Sequence, residues 1–293
     1  MNARKKFRLK LPSRTLVLGE RTLVMGVLNV TPDSFSDGGK YAQPEFGINH
    51  ALAIEQAGAD ILDIGGESTR PGSEEISASQ ELDRILPVLE GLRGRLKIPI
   101  SVDTRRATVA ELALRAGAEI INDVSGLKKD ARIAGIAAKY GVPLILMHMR
   151  GEPATMQRGP FARDVMKDVT RGLRESAVKA RKAGIAKSQI IFDPGIGFGK
   201  SHSQNYELLQ KLPQLAMLGY PLLVGTSRKG FLGATLAREG KPAPPEERNW
   251  GTAATVTASI LGGAHIVRVH DVAEMAQVAR VADCVVNPGL RVR

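Results

Sequence analysis

The sequence predicts an α/β protein in which eight parallel strands close into a (β/α)8 TIM barrel. Three observations predict it: short apolar runs recur along the chain, amphipathic segments lie between them, and polar residues gather where the runs end. Unbroken apolar runs are typical of strands buried on both faces, as in a parallel sheet covered by helices. The 293 residues suit one such barrel, and no linker or low-complexity segment divides them.

The predicted elements follow one another as βα units of ordinary length. The strands are at 23–28, 61–64, 98–102, 120–121, 143–147, 190–192, 222–224 and 266–269. The helices are at 82–92, 109–116, 132–140, 165–183, 206–218 and 272–282, where apolar residues recur every three or four positions. We expect Pro87 to bend the first of these helices or to mark its first turn.

Two short segments near the N-terminus, 15–17 and 22–24, flank a Leu-Gly-Glu-Arg sequence and predict a β-hairpin that closes the floor of the barrel. Residues 1–14 precede this hairpin and carry six Lys or Arg residues and no acid. We therefore expect a basic N-terminal arm at 1–14 and a single barrel domain at 15–293.

Eight βα units could also spread into an open doubly wound sheet, so the placement of polar residues decides between the two folds. Nearly every apolar run ends in polar side chains, and only a closed barrel brings all eight ends to one mouth. These polar ends are Asn29, Glu67, Asp103, Asn122 with Asp123, His148, Asp193, Ser227 with Arg228 and Lys229, and Arg268 with His270. The barrel is the prediction, with a ligand site at its mouth.

The formal charge of +11 raises the question of nucleic acid. Without the Lys and Arg residues of 1–14 and 291–293, however, the 41 cationic side chains fall to 33 against 30 acids. Aromatic residues are only 4% of the chain, so few rings could stack on bases, and we expect no nucleic-acid partner. We also expect no membrane span, and the single cysteine, Cys284, fits a reducing, cytoplasmic setting.

The first candidate chemical group is Asp103, Asn122 and Asp193, which come from three separate strand ends. A carboxylate in an apolar mouth pairs with two adjacent N–H donors, such as the 2-amino and ring N–H edge of a guanine-like or pterin-like heterocycle. The alternative is that Asp103 and Asp193 only cap the helices that follow them.

The second group is cationic. Lys229, Arg268 and His270 belong to the seventh and eighth units, where barrels often bind phosphate. The alternative is a solvated basic face, but Arg268 alternates with valines inside a buried strand. Two long loops, 31–39 and 65–73, are rich in turn-forming residues and are expected to act as lids; the alternative is surface loops without a role.

Six motifs, taken together and in order, resemble the dihydropteroate synthases of the pterin-binding family. They are NVTPDSFSDGG from 29, DIGGESTRPG from 63, INDVSG from 121, DPGIGFGK from 193, SRK from 227 and RVHD from 268. The resemblance extends from about residue 20 to residue 285, outside the basic arm. It implies a homodimeric barrel that joins 6-hydroxymethyl-7,8-dihydropterin diphosphate to p-aminobenzoate in folate biosynthesis.

The resemblance also implies roles for single residues. Asp103, Asn122, Asp193 and Lys229 would hold the pterin, and Asn29, Arg268 and His270 would meet the diphosphate, with the cofactor Mg²⁺ at Asn29. The expected catalytic residues are Asp103, Lys229, Arg268 and His270. The aminobenzoate pocket would be formed by Phe35, Ser68, Thr69, Arg70, Pro71, Phe198 and Ser227, and Met147 and Gly197 are further expected substrate contacts.

Two other functions fit part of this pattern. A related barrel that moves a methyl group from methyltetrahydrofolate to a corrinoid shares the pterin slot but binds no diphosphate, so 227–229 and 268–270 count against it. A paralogue that binds pterin without catalysis would not need the lid motifs, which are intact in this chain.

Overall fold

The computed structural model describes residues 4–31, 42–68 and 72–290, which contain ten strands and ten α-helices. The strands are β1 Phe7–Lys10, β2 Thr15–Leu18, β3 Leu23–Asn29, β4 Ile61–Gly65, β5 Ile100–Asp103, β6 Ile120–Asp123, β7 Leu144–Met147, β8 Ile190–Asp193, β9 Leu223–Val224 and β10 Ile266–Val269. The helices are α1 Ala42–Gln56, α2 Ala78–Leu92, α3 Ala107–Arg115, α4 Arg132–Tyr140, α5 Val165–Lys182, α6 His202–Gln210, α7 Leu212–Ala216, α8 Gly230–Thr235, α9 Asn249–Leu261 and α10 Val272–Val286.

Strands β3 to β10 form one parallel sheet that closes on itself. Neighbours pair in chain order from β3 to β8, and β10 pairs with both β3 and β9. A parallel bridge between Phe192 of β8 and Leu222, which precedes β9, completes the ring. Closure confirms the predicted (β/α)8 barrel over the open sheet, and the eight predicted apolar runs are its eight strands.

Successive residues of each barrel strand face alternately into the ring and toward the helices. The inward apolar side chains form a core inside the ring: Leu23, Met25, Ile61, Ile120, Ile145, Ile191, Leu223 and Ile266. Their strand neighbours, such as Val24 and Leu62, belong to the larger core between the sheet and the helices. The polar side chains further along the strands therefore stand above an apolar floor.

A two-stranded antiparallel sheet accompanies the barrel, but its strands differ from the prediction. β2 pairs with β1, with Phe7 opposite Leu18, whereas 22–24 leads into β3, which pairs in parallel with β10. The predicted pairing of 15–17 with 22–24 is wrong because β3 is buried on both faces and completes the ring between β10 and β4. Since Leu9 is fully buried, part of the predicted basic arm is a strand of the fold.

The predicted helices are present, with differences of detail. The segment 206–218 contains two helices, because Pro213 lies in the first turn of α7, where its missing N–H is not needed. Pro87 lies in the interior of α2 and not in its first turn. Helices α1 and α9, which no predicted range covered, complete the outer layer. Within the described ranges, no helix combines the length and apolar character needed to cross a membrane.

Arg4 ties the N-terminal segment to the last helix. Its guanidinium pairs with Asp283 of α10 and donates to Thr22 Oγ1 at 2.6 Å and to the carbonyl oxygen of Ala264 at 2.8 Å. Asp283 also accepts the backbone N–H of Thr22 at 2.6 Å. The side chains of Arg4 and Asp283 are only 5% and 3% exposed, so each charge depends on this cluster for the hydrogen bonds that water would otherwise supply.

Asp283→Asn should lower the free energy of unfolding by about 3 to 5 kcal/mol, because Arg4 would keep a buried charge without its anionic partner. Urea denaturation followed by circular dichroism measures the change. Glu20→Gln is the control, since it removes the exposed Lys6–Glu20 pair, with N···O at 2.9 Å, and should cost less than about 1 kcal/mol. Equal losses in the two variants would contradict an anchoring role for Asp283.

Candidate active site

A cavity of about 1350 Å³ opens at the carboxyl ends of the barrel strands. Every predicted site residue that the structure describes lines this cavity: Asn29, Ser68, Asp103, Asn122, Met147, Asp193, Gly197, Phe198, Ser227, Lys229, Arg268 and His270. They come from all eight barrel strands or from the loops that follow them. The predicted contacts Phe35, Thr69, Arg70 and Pro71 lie outside the described residues.

Asp63, Asp103, Asn122 and Arg268 form one hydrogen-bonded cluster on the inner wall. Arg268 donates from Nη2 to Asp103 Oδ2 at 2.8 Å and from Nε to Asp63 Oδ2 at 2.5 Å. Asn122 donates from Nδ2 to the same Asp63 oxygen at 3.1 Å. Since its amino group is used, Asn122 keeps a buried carbonyl oxygen that has no hydrogen-bond partner in the described part of the chain. A ligand with N–H donors would satisfy it.

The helix-capping alternative fails for Asp103. Its carboxylate binds Arg268, while the first N–H group of α3, that of Ala107, bonds to Asp130 Oδ2 at 3.0 Å. Asp193 does accept a local hydrogen bond, from the Gly195 N–H to Oδ1 at 2.7 Å, but α6 begins only at His202. Both carboxylates therefore line the cavity, and neither caps a helix.

Burial raises the pKa of both acids. The pKa of Asp103 rises to about 7 because burial disfavours its charge, and the nearby Asp63 carboxylate adds to the rise that Arg268 opposes. Burial also raises the pKa of Asp193 to about 6, although the hydrogen bond from the Gly195 N–H acts to lower it. Ionising these buried carboxyls costs free energy, and donors or positive charge on a ligand would relieve that cost.

Lys229, Phe198, Ser227 and His270 form a second group of residues in the cavity. Lys229 Nζ lies 3.9 Å from the centre of the Phe198 ring, a cation–π contact. Ser227 Oγ lies 3.0 Å from His270 Nδ1 and accepts the His270 backbone N–H at 3.2 Å. Burial, with Arg268 nearby, lowers the pKa of His270 to about 3, so its imidazole is neutral. Arg268 and Lys229 carry the positive charge here, in a cavity and not on a solvated face.

The loop after β4 is fixed at its base by Glu67. This buried carboxylate accepts from Arg105 Nη2 at 2.9 Å, from Arg106 Nη1 at 3.0 Å and from the backbone N–H of Ile76 at 3.2 Å. Although burial opposes the change, the hydrogen bonds from Arg106 and Arg105 lower the pKa of Glu67, so it stays ionised. These bonds hold both ends of the loop that carries Ser68.

The loop after β8 packs tightly against the loop after β7. Lys200 is buried, and its Nζ lies 2.9 Å from the Phe198 carbonyl oxygen, 3.1 Å from that of His148 and 3.2 Å from His148 Nδ1. Gly195 has a φ of +66°, and a Cβ atom there would stand 2.0 Å from the His148 carbonyl oxygen, so only glycine fits. The two loops thereby hold the Phe198 ring beneath Lys229.

Two polar strand ends do not reach the cavity. His148 turns toward Lys200, and Asp123 uses its carboxylate for the N–H groups of Ser125 and Leu127, at 2.8 and 2.6 Å. Conversely, Asp63 and Lys200 belong to the site or its supporting loops but were not predicted as site residues. The strand period contained a signal for Asp63, which stands two residues after the inward Ile61. Lys200 ends the DPGIGFGK motif, but the motif does not show that its side chain is buried against the loop after β7.

The geometry suits a ligand with two chemical ends. Asp103, Asn122 and Asp193 present oxygen atoms that accept N–H groups, as the edge of a flat nitrogen heterocycle offers them. Arg268, Lys229 and the neutral His270 present donors suited to an anion. Asn29 adds an amide oxygen at the same mouth, a hard ligand of the kind that Mg²⁺ takes.

Comparison with known proteins agrees with a cavity that binds a nitrogen heterocycle. A family model described as pterin binding enzyme matches residues 25–270. A dihydropteroate synthase from Synechocystis is 50% identical over 90% of this chain and 90% of its own length. The Xanthomonas albilineans dihydropteroate synthase with 4-aminobenzoic acid is 41% identical, with a TM-score of 0.89 over 98% of this chain and 100% of that one. The same enzyme with 7,8-dihydropteroate is 40% identical, with a TM-score of 0.85 over 97% and 100%.

The change in the free energy of unfolding caused by Asp103→Asn should be more favourable at about pH 8 than at about pH 4.5. The folded-state pKa of about 7 exceeds that of an unfolded aspartate, near ~3.9, so the contribution of Asp103 to stability is full below the unfolded value and is lost as pH rises through 7. Asparagine never ionises and avoids that loss, which is a few kcal/mol because one pKa unit is worth about 1.4 kcal/mol. Urea midpoints at both pH values measure the difference.

Asp130→Asn gives the opposite sign and serves as the control. Its hydrogen bond with Arg132 lowers the pKa of Asp130 to about 2, so its stabilising charge is present at both pH values and is lost only toward pH 2. This variant should be destabilised at both values. An Asp103→Asn protein with the same pH response as Asp130→Asn would contradict the raised pKa of Asp103.

Proposed function

Since the chain belongs to the pterin-binding enzyme family, we propose that it is a transferase that joins 6-hydroxymethyl-7,8-dihydropterin diphosphate to p-aminobenzoate. The reaction forms a C–N bond and gives 7,8-dihydropteroate and diphosphate, a step of folate biosynthesis. The observation that carries the proposal is the cavity in which Asp103, Asn122 and Asp193 face Arg268 and Lys229. The relatives named above, one with 4-aminobenzoic acid and one with 7,8-dihydropteroate, support it.

The acid and amide cluster serves as the pterin seat. The Asn122 carbonyl oxygen and the Asp103 and Asp193 carboxylates are acceptors for the amino and ring N–H groups of the pterin. Lys229, held over Phe198, places an ammonium beside the same ligand. The raised pKa values of Asp103 and Asp193 support this role, because hydrogen bonds from the pterin favour their ionised forms.

Arg268 and His270 serve the diphosphate. Arg268 offers N–H groups in a fork that matches two phosphate oxygens, and neutral His270 can donate one hydrogen bond. The aminobenzoate lies above them, between Phe198, Ser227 and Ser68, with Phe35, Thr69, Arg70 and Pro71 assigned to the same pocket by resemblance. Met147 and Gly197 complete the cavity wall.

Mg²⁺ at Asn29 fits the donor set. Within the described ranges, no three His, Cys, Asp or Glu side chains are grouped to hold a metal, so the protein would supply few ligands and the phosphates and water the rest. The charge of Arg268 is already matched by Asp63 and Asp103, which leaves the diphosphate in need of another cation. When bound, Mg²⁺ supplies charge neutralisation of the diphosphate, held there through the Asn29 amide oxygen.

The chemistry follows from the leaving group. Arg268 and His270 stabilise the negative charge that develops on the diphosphate as its bond to the pterin methylene breaks. The dihydropterin shares the positive charge left on that carbon, and the Asp103 carboxylate stabilises the cation. The C–O bond breaks as the diphosphate leaves with its electron pair, and the neutral aniline nitrogen forms the new C–N bond with its lone pair. The nitrogen is then positively charged and acidic, so it loses one proton to water or to the released diphosphate without a strong base. The lid loops would exclude water during this step.

The two alternatives are less well supported. Methyl transfer from a folate to a corrinoid requires no phosphate seat, which leaves Arg268 and His270 without a role. A pterin-binding protein without catalysis requires no ordered pocket for a second substrate, whereas Lys200 and Glu67 both fix loops that border one. The cytoplasmic location and the absence of a nucleic-acid partner stay predictions.

The homodimer is a further part of this proposal, supported by α9. Trp250, Ala254, Ala258 and Leu261 recur every three or four residues on one exposed side of this helix, and Trp250 is 85% exposed. No charged residue occurs within α9, so its exposed face is apolar and suits a second copy of the chain.

Asp103→Asn should lower kcat for diphosphate release by about a hundredfold or more, because the cationic pterin loses a charge partner in a desolvated site. The assay supplies both substrates and Mg²⁺, with a parallel reaction in EDTA that should be inactive. Lys5→Ala, which changes an exposed residue of the N-terminal segment, should keep full activity. Comparable losses in the two variants would refute the assigned site, and no diphosphate release by the unaltered protein would refute the function.

Ala258→Glu should convert the dimer to monomers, because it places a charge at the centre of the apolar face of α9. Sedimentation velocity of the folded variant measures the association state. Val178→Glu, on the exposed side of α5, is the matched control and should leave the dimer intact. A dimer that survives Ala258→Glu would place the interface elsewhere.

A further inference from the structure

We propose that Asp63 is a positioning residue that orients Arg268 and Asn122 together and so links the phosphate seat to the pterin seat. The inference rests on the proposed function, from which it takes these two seats. Asp63 is fully buried in β4 and does not itself line the cavity. Its effect on a ligand therefore passes through the two side chains that it holds.

Asp63 determines which N–H groups of Arg268 face a ligand. The Asp63 and Asp103 carboxylates accept from Nε and from Nη2 of the guanidinium, at 2.5 and 2.8 Å. In the part of the chain that the structure describes, no acceptor lies within hydrogen-bond distance of Nη1. The remaining donors of a guanidinium held along this edge form the end-on fork that matches two phosphate oxygens.

The same Asp63 oxygen determines the orientation of the Asn122 amide. Oδ2 accepts from Asn122 Nδ2 at 3.1 Å, so the amide nitrogen points to the carboxylate and its oxygen is left for a pterin N–H. With the amide reversed, two oxygens would face each other across this contact. Asp63 thus gives Asn122 the acceptor role that the pterin requires.

Stability alone does not explain a carboxylate at this position. Asp63 Oδ1 is buried without a hydrogen-bond partner in the described residues, which costs folding free energy. An apolar side chain would avoid that cost and would fit between the apolar inward residues below it. The Asp63 carboxylate supplies one oxygen, Oδ2, that accepts hydrogen bonds both from Arg268 of the phosphate seat and from Asn122 of the pterin seat.

Asp63→Asn should weaken the binding of inorganic pyrophosphate and of 6-hydroxymethylpterin, each by about tenfold or more, as measured by isothermal titration calorimetry. Asp60→Asn is the matched control. Asp60 immediately precedes the same strand and pairs with Arg21, with N···O at 2.8 Å, but lies at the opposite end of the barrel from the cavity. Its variant should bind both ligands as the unaltered protein does.

Double variants separate positioning from a general structural effect. In an Arg268→Ala background, Asp63→Asn should cause no further loss of pyrophosphate affinity but should still weaken pterin binding. In an Asn122→Ala background the pattern should reverse. Additional losses of both ligands in both backgrounds would show damage to the fold and overturn the inference, as would unchanged affinities in the folded single variant.

Circular dichroism and thermal melting establish whether each variant is folded, and Asp63→Ser replaces Asp63→Asn if the latter is not. If neither folds, Arg268→Ala supplies the test: Asp63 still orients Asn122 there, so pterin affinity should stay within about threefold, and a larger loss would overturn the inference. Failure of the proposed function is a distinct outcome, because the unaltered protein would then bind neither pyrophosphate nor the pterin.

Discussion

Closure of the parallel sheet is the constraint on which the site depends. In a closed ring every second residue of each strand faces inward, so strands far apart in sequence direct their side chains at one volume. The lower inward positions are apolar except for Ser101 of β5 and pack into a buried floor, and the upper ones include Asp63, Asn122, Asp193 and Arg268. In an open sheet the ends of β3 and β8 would be too far apart to meet one ligand. Closure of the ring therefore determines which strand positions form the core and which form the mouth.

So many polar groups are buried at the mouth that the protein itself does not supply all of their hydrogen-bond and charge partners in the described residues. Asp63 and Asn122 each keep a buried oxygen without a partner in the described residues, and burial raises the pKa of Asp103 and Asp193. Each feature costs folding free energy, and N–H donors or positive charge from a ligand would relieve that cost for Asn122, Asp103 and Asp193, which line the cavity. Burial of apolar side chains in the cores inside and around the barrel offsets this cost in folding free energy. The polarity of the mouth is thus better explained by binding than by stability.

The sequence predicted the barrel because uninterrupted apolar runs and their polar ends are local patterns. It predicted the site for the same reason, since Asp103, Arg268 and the others stand directly at or after a strand. Contacts between distant segments could not be predicted from these local patterns. For example, β2 pairs with β1 and not with 22–24, because β3 pairs with its neighbours in the ring. The role of Glu67 depends on Arg105 and Arg106 from the next unit, and that of Lys200 on the loop after β7. Asp63 begins the DIGGESTRPG motif and lies in phase with the inward Ile61, but neither pattern shows that its carboxylate bonds to both Arg268 and Asn122.

The pairing of Arg268 with two carboxylates bears on how the site would treat its leaving group. A lone buried guanidinium would attract diphosphate by net charge and would hold it after the reaction. Arg268 is balanced by Asp63 and Asp103, so its contribution to phosphate binding is mainly geometric, through the orientation of its remaining N–H groups. In the proposed reaction, Asp103 would face new positive charge on the pterin when the C–O bond breaks, and its hydrogen bond with Arg268 would weaken in favour of that cation. The guanidinium would then stabilise the departing diphosphate more strongly than the bound substrate, which is the condition for lowering the barrier.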